Sequence, residues 1–416
     1  MFGAALGSRP FRLLFAGQAI SAVGNRLVPV ALAFAVLDLT GSVSDLGIVL
    51  AAQTVPLIVF VLLGGVWGDR LARQRVMLAS DCVRAVTQGA SAALLLTGSA
   101  RIWELAALQA AYGAAEAFFG PASTALVPQT VEADQLQPAN ALLGLTNNVA
   151  MVLGPAIAGV IVATLGPKWG LAIDATTFVA SAAFLSRLRV GSPVATARSG
   201  TLAELRAGWR AFRSREWLWI TVAYFTIYLG FVFSPFQVLG PQIARVSLGG
   251  PGAWAAISVA LGVGAVVAGV VGLRWRPRYP LRVAFLAFLT GGPALFALIA
   301  AHAPLWLIIV AAVLDGGSGT LFNLLWFTAL QSDVPPSELS RVSSWDYLGA
   351  LALQPLGQGL AGPVAAAIGI SSTLYGAAGM FLVLTLAVLG VPAVRNFTGT
   401  GAGEGEGVAG SVRARP

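Results

Sequence analysis

Three charged residues inside long apolar runs are the positions at which this sequence could do chemistry. Arg26 lies about 14 residues into the first run, and Glu116 lies about 12 residues before the end of the fourth. At about 1.5 Å per helical residue the two are at nearly the same depth. Asp315 lies in the tenth run. Because a charge in hydrocarbon needs a partner or a polar cavity, we hypothesise that Arg26 and Glu116 form a buried pair that substrate or a proton perturbs, with Asp315 as a second protonation site. A fixed structural pair is the alternative for Arg26 and Glu116.

A further charged pair has a simpler interpretation. Asp81 and Arg84 are three residues apart, one helical turn, and a structural ion pair is favoured. The sequence has no His-Glu-x-x-His, no Gly-x-Ser-x-Gly and no acids at catalytic spacing, so we do not expect an enzyme. One cysteine and one histidine exclude a disulfide framework and a Cys/His zinc site. We expect no metal and no cofactor.

The elements that must position these residues are membrane helices. Of 416 residues, 57% are hydrophobic and only 10% are charged, whereas soluble domains are about one quarter charged. The predicted fold class is all-α integral membrane, with twelve transmembrane helices in two pseudo-symmetric six-helix bundles. The predicted spans are 12–38, 43–67, 76–97, 102–128, 136–165, 168–188, 217–245, 252–274, 281–301, 304–331, 338–369 and 371–394.

The distribution of basic residues predicts the topology. Twenty of the 25 Lys and Arg residues fall in the terminal tails or in even-numbered loops, which places both termini in the cytoplasm. This pattern accounts for the net charge of +8 without nucleic-acid binding.

One long interior connection divides the chain. We predict an N-terminal bundle over 1–188, a cytoplasmic linker with a short amphipathic helix over 189–216, a C-terminal bundle over 217–397 and a disordered tail over 398–416. The two halves contain similar short segments. Pro155-Ala156-Ile157-Ala158-Gly159 in the first half corresponds to Pro355-Leu356-Gly357-Gln358-Gly359 in the second, at an offset of 200. A duplicated six-helix unit places a substrate site between the halves, near the bilayer midplane.

The loop between spans 2 and 3 carries a family resemblance. Gly65, Asp69, Arg70 and Arg73 match the pattern Gly-x-x-x-Asp-Arg-x-Gly-Arg, with Ala72 in place of the second glycine. This resembles the loop between helices 2 and 3 of the major facilitator superfamily. The resemblance implies a cytoplasmic gate, in which the acid contacts the start of helix 11 and the arginines reach acids in neighbouring loops, here Glu132, Asp134 or Asp333.

Span 5 extends the resemblance. Gly154, Pro155 and Gly159 are similar to the Gly-Pro element of antiporter-type exporters in that superfamily, although an ordinary kinked packing helix would show the same residues. Span 1 contains Gly24, Ala31-Leu32 and the run Val36-Leu37-Asp38-Leu39-Thr40-Gly41-Ser42, and it is similar to the drug:proton antiporter branch that includes macrolide and enterobactin exporters. In the superfamily, helices 1, 4, 7 and 10 line the central cavity, which would place Arg26, Glu116 and Asp315 on three of the four.

The resemblance implies proton-coupled efflux of a hydrophobic or amphipathic small molecule by alternating access. An importing facilitator or symporter of the same fold is the alternative, and a non-transporting sensor is a more distant one. The expected partners are a small-molecule substrate, protons and the lipid bilayer of a bacterial plasma membrane, with no nucleic acid and a monomeric state. Aromatic residues on the cavity helices would suit such a substrate or serve as packing: Tyr112, Phe118, Tyr224, Phe225, Tyr228, Phe322 and Trp326.

Overall fold

The protein is built from α-helices. The computed structural model describes residues 6–68, 72–132, 135–188, 201–272, 275 and 277–398, and these residues contain no β-strand. The first six helices are α1 Arg9–Thr40, α2 Val43–Gly68, α3 Arg73–Thr97, α4 Ile102–Leu126, α5 Leu136–Thr164 and α6 Pro167–Arg187. The linker helix is α7 Thr201–Arg213. The remaining helices are α8 Glu216–Ser247, α9 Pro251–Gly272, α10 Pro280–Ala300, α11 Leu305–Asp333, α12 Pro336–Leu351, α13 Gln354–Ile368, α14 Ile370–Gly390 and α15 Pro392–Arg395.

The predicted all-α membrane class is confirmed. In the described part of the chain, nine helices are long and apolar enough to cross a membrane. The other three predicted spans are helical as well, which is consistent with a twelve-span arrangement. Span 3 is the more polar α3, which contains Asp81 and Arg84. Span 4 is α4, and span 11 is interrupted near Ala352 and becomes α12 and α13.

The chain forms two compact units, of which the first contains most of the candidate charges. Unit 1 comprises Met1–Ala197, Ser234–Val259 and Gln354–Thr373. Within it, α1 packs on α5 and α6, α2 packs on α4, and α3 packs on α4 and α6. An apolar core joins one end of these helices and includes Phe11, Met77, Leu126 and Leu185.

Unit 2 comprises Arg198–Phe233, Ala260–Leu353 and Leu374–Pro416. Within it α10 packs on α11, and α12 packs on α7 and on the first part of α8. In α8 the segment Tyr228–Phe233 is a π-helix, an irregularity that is frequent at functional sites. The short helix predicted in the linker is α7, in which Trp209 packs on Phe212 and Trp345.

Candidate functional site

Arg26 and Glu116 lie in unit 1 on α1 and α4. Glu116 is a carboxylate whose charge acts on Arg26, but in the described part of the chain no ion pair at salt-bridge distance joins them. Glu116 instead accepts a hydrogen bond from the Gln53 side-chain amide of α2 at 3.4 Å. The Arg26 side chain is exposed and that of Glu116 is partly buried. Two opposite charges are thus held near each other without neutralising each other by direct contact.

Gly154 of α5 is the residue that allows α1 to come so close at Arg26. A Cβ atom at Gly154 would lie 2.2 Å from the Arg26 Cβ atom, closer than real side chains approach. Pro155 follows inside an uninterrupted helix, and Gly159 faces Ala255, where an added Cβ would lie 2.3 Å from the alanine methyl group. The Gly-Pro element therefore packs α5 against the charged position of α1.

Asp81 and Arg84 form an ion pair at 2.5 Å in the interior of unit 1. The guanidinium also lies over the rings of Phe119 and Phe178, at 4.1 and 4.4 Å from their centroids. Asp174 of α6 belongs to the same polar region. The sequence places it near the outer end of span 6, where an interfacial position or a pair with Lys168 is expected, but its carboxylate is fully buried and accepts a hydrogen bond from the Gln88 amide at 3.1 Å.

We refer to these side chains and their polar neighbours as the buried polar group. The Gln109 amide donates to the Gln88 carbonyl oxygen at 3.2 Å, and the Tyr112 hydroxyl donates to the Asn25 carbonyl oxygen at 2.9 Å. Tyr112 also interacts electrostatically with Glu116 and with Arg84. The buried polar group consists of Asn25, Asp81, Arg84, Gln88, Gln109, Tyr112, Asp174 and Thr177.

Asp315 lies in unit 2 on α11, beside a cluster of aromatic side chains. An added Cβ at Gly292 would meet both the Phe381 ring and the Asp315 Oδ1 atom, at 2.2 and 3.0 Å, so the carboxylate and this ring border the same point of α10. The described residues give the Asp315 carboxylate no cationic partner. We call the adjoining rings the aromatic cluster: Tyr224, Phe225, Tyr228, Phe285, Phe288, Phe322, Trp326 and Phe381.

Only some of the residues predicted for a cytoplasmic gate lie in the part of the chain that the structure describes. Asp69 and Arg70 lie outside the described residues, Gly65 belongs to α2, and Arg73 begins α3. Asp333 is bound by Arg215 at 3.3 Å and by the Trp217 indole at 3.1 Å. The gate therefore stays a prediction.

At the opposite ends of the helices, unit 1 contains contacts that the sequence analysis did not predict. Asp38 at the end of α1 pairs with Arg245 of α8 at 3.4 Å, and Arg245 also donates to the Leu37 carbonyl oxygen. Close packing continues beside this pair, because an added Cβ at Gly362 of α13 would lie 2.3 Å from the Ser44 hydroxyl. By the predicted topology these contacts lie on the extracellular side.

Comparison with known proteins identifies the family. The sequence profile of the Major Facilitator Superfamily matches residues 14–350. The chain belongs to this superfamily. It is therefore a multi-pass membrane protein of a transporter family, with a small-molecule substrate, as the resemblance implied.

Curated relatives and solved structures agree with this membership. The chain is 30% identical over 399 residues to the multidrug efflux pump Tap of Mycolicibacterium fortuitum, which covers 92% of this chain and 95% of the relative. It is 28% identical over 385 residues to the enterobactin exporter EntS of Escherichia coli, which covers 86% and 87%. The nucleoside transporter NupG superposes with a TM-score of 0.73 at 14% identity over 93% of this chain and 99% of the other, a likeness of fold alone.

The structure brings together several polar residues that the sequence alone does not connect. Gln88, Gln109 and Asp174 were not connected, because each lies on a different helix and only the packing of α3, α4 and α6 joins them. Asp346, which accepts from the Trp326 indole at 3.1 Å, was a detectable signal, since it is an acid within predicted span 11.

Proposed function

We propose that this chain exports a hydrophobic or amphipathic small molecule across the bacterial cell membrane in exchange for protons. The observation that carries the proposal is Asp315, a carboxylate within α11 that borders the aromatic cluster and has no cationic partner among the described residues. An ionised carboxylate in such surroundings is unfavourable, so the group is stabilised either by binding a proton, which neutralises it, or by pairing with a cation. A proton and a positively charged or polar group of the substrate can therefore compete for one site.

The aromatic cluster is packed, with Phe288 and Phe322 each 3% exposed, so it would receive a hydrophobic substrate only in a conformation in which its rings separate. Phe288 and Phe322 stack with their centroids 5.2 Å apart, and Tyr228 meets Phe381 edge to face at 4.9 Å. Aromatic faces bind flat apolar groups, and they attract organic cations by about 0.5–2 kcal/mol per contact. A substrate with an aromatic or aliphatic body and one basic group fits this chemistry.

Arg26 and Glu116 supply the second part of the proposed mechanism. Their separation beyond salt-bridge distance supports an adjustable pair over a fixed one. When Glu116 binds a proton, Arg26 keeps an uncompensated positive charge, and when the proton leaves, the two charges attract. This change alters the electrostatic potential at the mid-depth of unit 1 during each cycle.

The remaining features fit an exporter that works by alternating access. We propose two six-helix bundles, 1–188 and 217–397, both termini in the cytoplasm and a monomeric protein. The loop with Asp69 and Arg70 would close the cytoplasmic side. The relatives named as a multidrug efflux pump and an enterobactin exporter support export.

Transport by the purified full-length protein in liposomes tests the proposal. With ethidium or a macrolide as probe, an imposed pH gradient should drive movement of the probe against the proton flow. Asp315→Asn and Glu116→Gln should lose this movement, and Glu216→Gln, which changes an exposed acid at the start of α8, should retain it. Movement that ignores the gradient would indicate a facilitator, and movement of probe with the protons would indicate an importer. Either result would overturn the proposal.

A further inference from the structure

The buried polar group of unit 1 has two carboxylates and one guanidinium. Asp81 and Asp174 have no exposed surface, and Arg84 is 1% exposed. Leaving a buried charge uncompensated inside a protein costs several kcal/mol, and water in a membrane span cannot compensate it. With both carboxylates ionised the three side chains carry a net charge of about −1, so neutrality requires one more proton or cation.

The guanidinium is already committed to one of the two carboxylates. Arg84 contacts Asp81 at 2.5 Å, and its flat faces lie against the Phe119 and Phe178 rings. Among the described residues, no ion pair joins Asp174 to Arg84 or to any other basic side chain. Asp174 is therefore the carboxylate that lacks a compensating charge.

The hydrogen bonds around Asp174 point to a proton on Oδ1. Gln88 donates to Oδ2 at 3.1 Å. The Thr177 hydroxyl lies 3.5 Å from Oδ1, but it donates its one hydrogen to the backbone carbonyl of Asp174 at 2.7 Å. At 3.5 Å the contact is too long for a normal O–H···O hydrogen bond, so Oδ1 receives no hydrogen that would stabilise a negative charge, which leaves it as the oxygen for the proton.

We propose that Asp174 is a proton-binding site of unit 1, with the proton on Oδ1 and with Oδ2 held by Gln88. This site concerns the binding of a proton and stands independently of the transport proposal. The charged and titratable groups that act on it are Arg84 from α3 and Tyr112 and Glu116 from α4, and Asp81 is the ion-pair partner of Arg84.

The backbone of α1 covers the proposed site. An added Cβ at Gly24 would lie 2.5 Å from Asp174 Oδ1 and 2.2 Å from the Thr177 hydroxyl oxygen, so α1 leaves no space above the proton. The next residue, Asn25, accepts from Tyr112, and Tyr112 interacts with both Asp174 and Glu116. The proton on Asp174 and the charge on Glu116 therefore act on the same hydroxyl group.

Infrared spectroscopy of the full-length protein in detergent at neutral pH tests the site directly. The wild type should show a carboxylic-acid C=O stretch that disappears in Asp174→Asn, a change that keeps the shape of the protonated side chain. Glu216→Gln should retain the band. Loss of a carboxylate band instead of an acid band in Asp174→Asn would overturn the proposal, because Asp174 would then be ionised.

A second variant tests whether the net charge of Asp81, Arg84 and Asp174 controls the protonation of Asp174, without changing Asp174 itself. In Asp81→Asn one carboxylate and one guanidinium remain, so Asp174 should ionise, and the same acid band should vanish although the residue is present. Persistence of the band in this variant would contradict the proposal. The variant also decides the question if Asp174→Asn fails to fold. Failure of pH-driven transport would leave both spectra as expected, which separates the two proposals.

Discussion

The buried ion pair between Asp81 and Arg84 makes a quantitative prediction about stability. Arg84→Gln removes the positive charge and leaves Asp81 buried without its ion-pair partner. The cheapest response is protonation of Asp81, which costs about 4 kcal/mol at pH 7 for a carboxyl group of ordinary acidity, pKa about 3.9. Loss of the ring contacts adds to this cost.

The sign of the pH dependence follows from proton counting. In the folded variant Asp81 holds a proton that the unfolded chain releases above pH 4 or so. Because the folded state then binds more protons, the stability of the variant relative to wild type should fall by about 1.4 kcal/mol per unit as the pH rises toward 7. Lowering the pH toward 5 should recover about 2.7 kcal/mol of the loss.

Thermal unfolding of the purified protein in detergent measures this effect. We expect a decrease in Tm of roughly 4–7 °C for Arg84→Gln at pH 7, with partial recovery at pH 5. Arg187→Gln, at an exposed arginine of α6, is the matched control. The double variant Asp81→Asn with Arg84→Gln leaves no buried charge from the pair and should be more stable than the single one. A single variant as stable as the control, or a double variant less stable than the single, would refute the reasoning.

Two further predictions concern packing and the predicted extracellular contacts. Gly154→Ala should cost about 1–3 kcal/mol of stability and impair transport, because the new methyl group overlaps Arg26, whereas Gly144→Ala in the same helix meets no neighbour and should be neutral in the same thermal and transport assays. Asp38→Ala should lower the equilibrium constant for closing the predicted extracellular side by up to about fivefold, since an exposed ion pair contributes about 0–1 kcal/mol. A cysteine introduced beside the pair should then react faster with a water-soluble thiol reagent. Exchange of the Asp38 and Arg245 charges should restore the wild-type rate. Unchanged reactivity would contradict the second prediction.

The fold followed from the sequence because the bilayer constrains it strongly. An apolar run of about 20 residues can satisfy its backbone in hydrocarbon only as a helix, so length and composition fixed most helix positions. The irregular points did not follow. The π-helical segment Tyr228–Phe233 and the interruption near Ala352 depend on packing that hydropathy does not describe.

The candidate site was predictable where a rare residue type marked it. Arg26, Glu116 and Asp315 stand out because charges are rare in membrane spans. Asp174 is also a charged residue within a predicted span, but its role was missed because its surroundings depend on Gln88, an uncharged residue on another helix. Phe381 was missed for a similar reason, since apolar residues in α14 carry no signal of which one borders Gly292 together with Asp315.

Proton movement caused by substrate is the measurement that tests the central claim most directly. Liposomes containing the protein and an internal pH-sensitive dye, with no imposed pH gradient, receive a gradient of substrate. We predict that protons move opposite to the substrate, and that Asp315→Asn abolishes the proton movement. Substrate flux with no change in internal pH would contradict proton exchange, and an unchanged proton signal in Asp315→Asn would remove Asp315 from the mechanism.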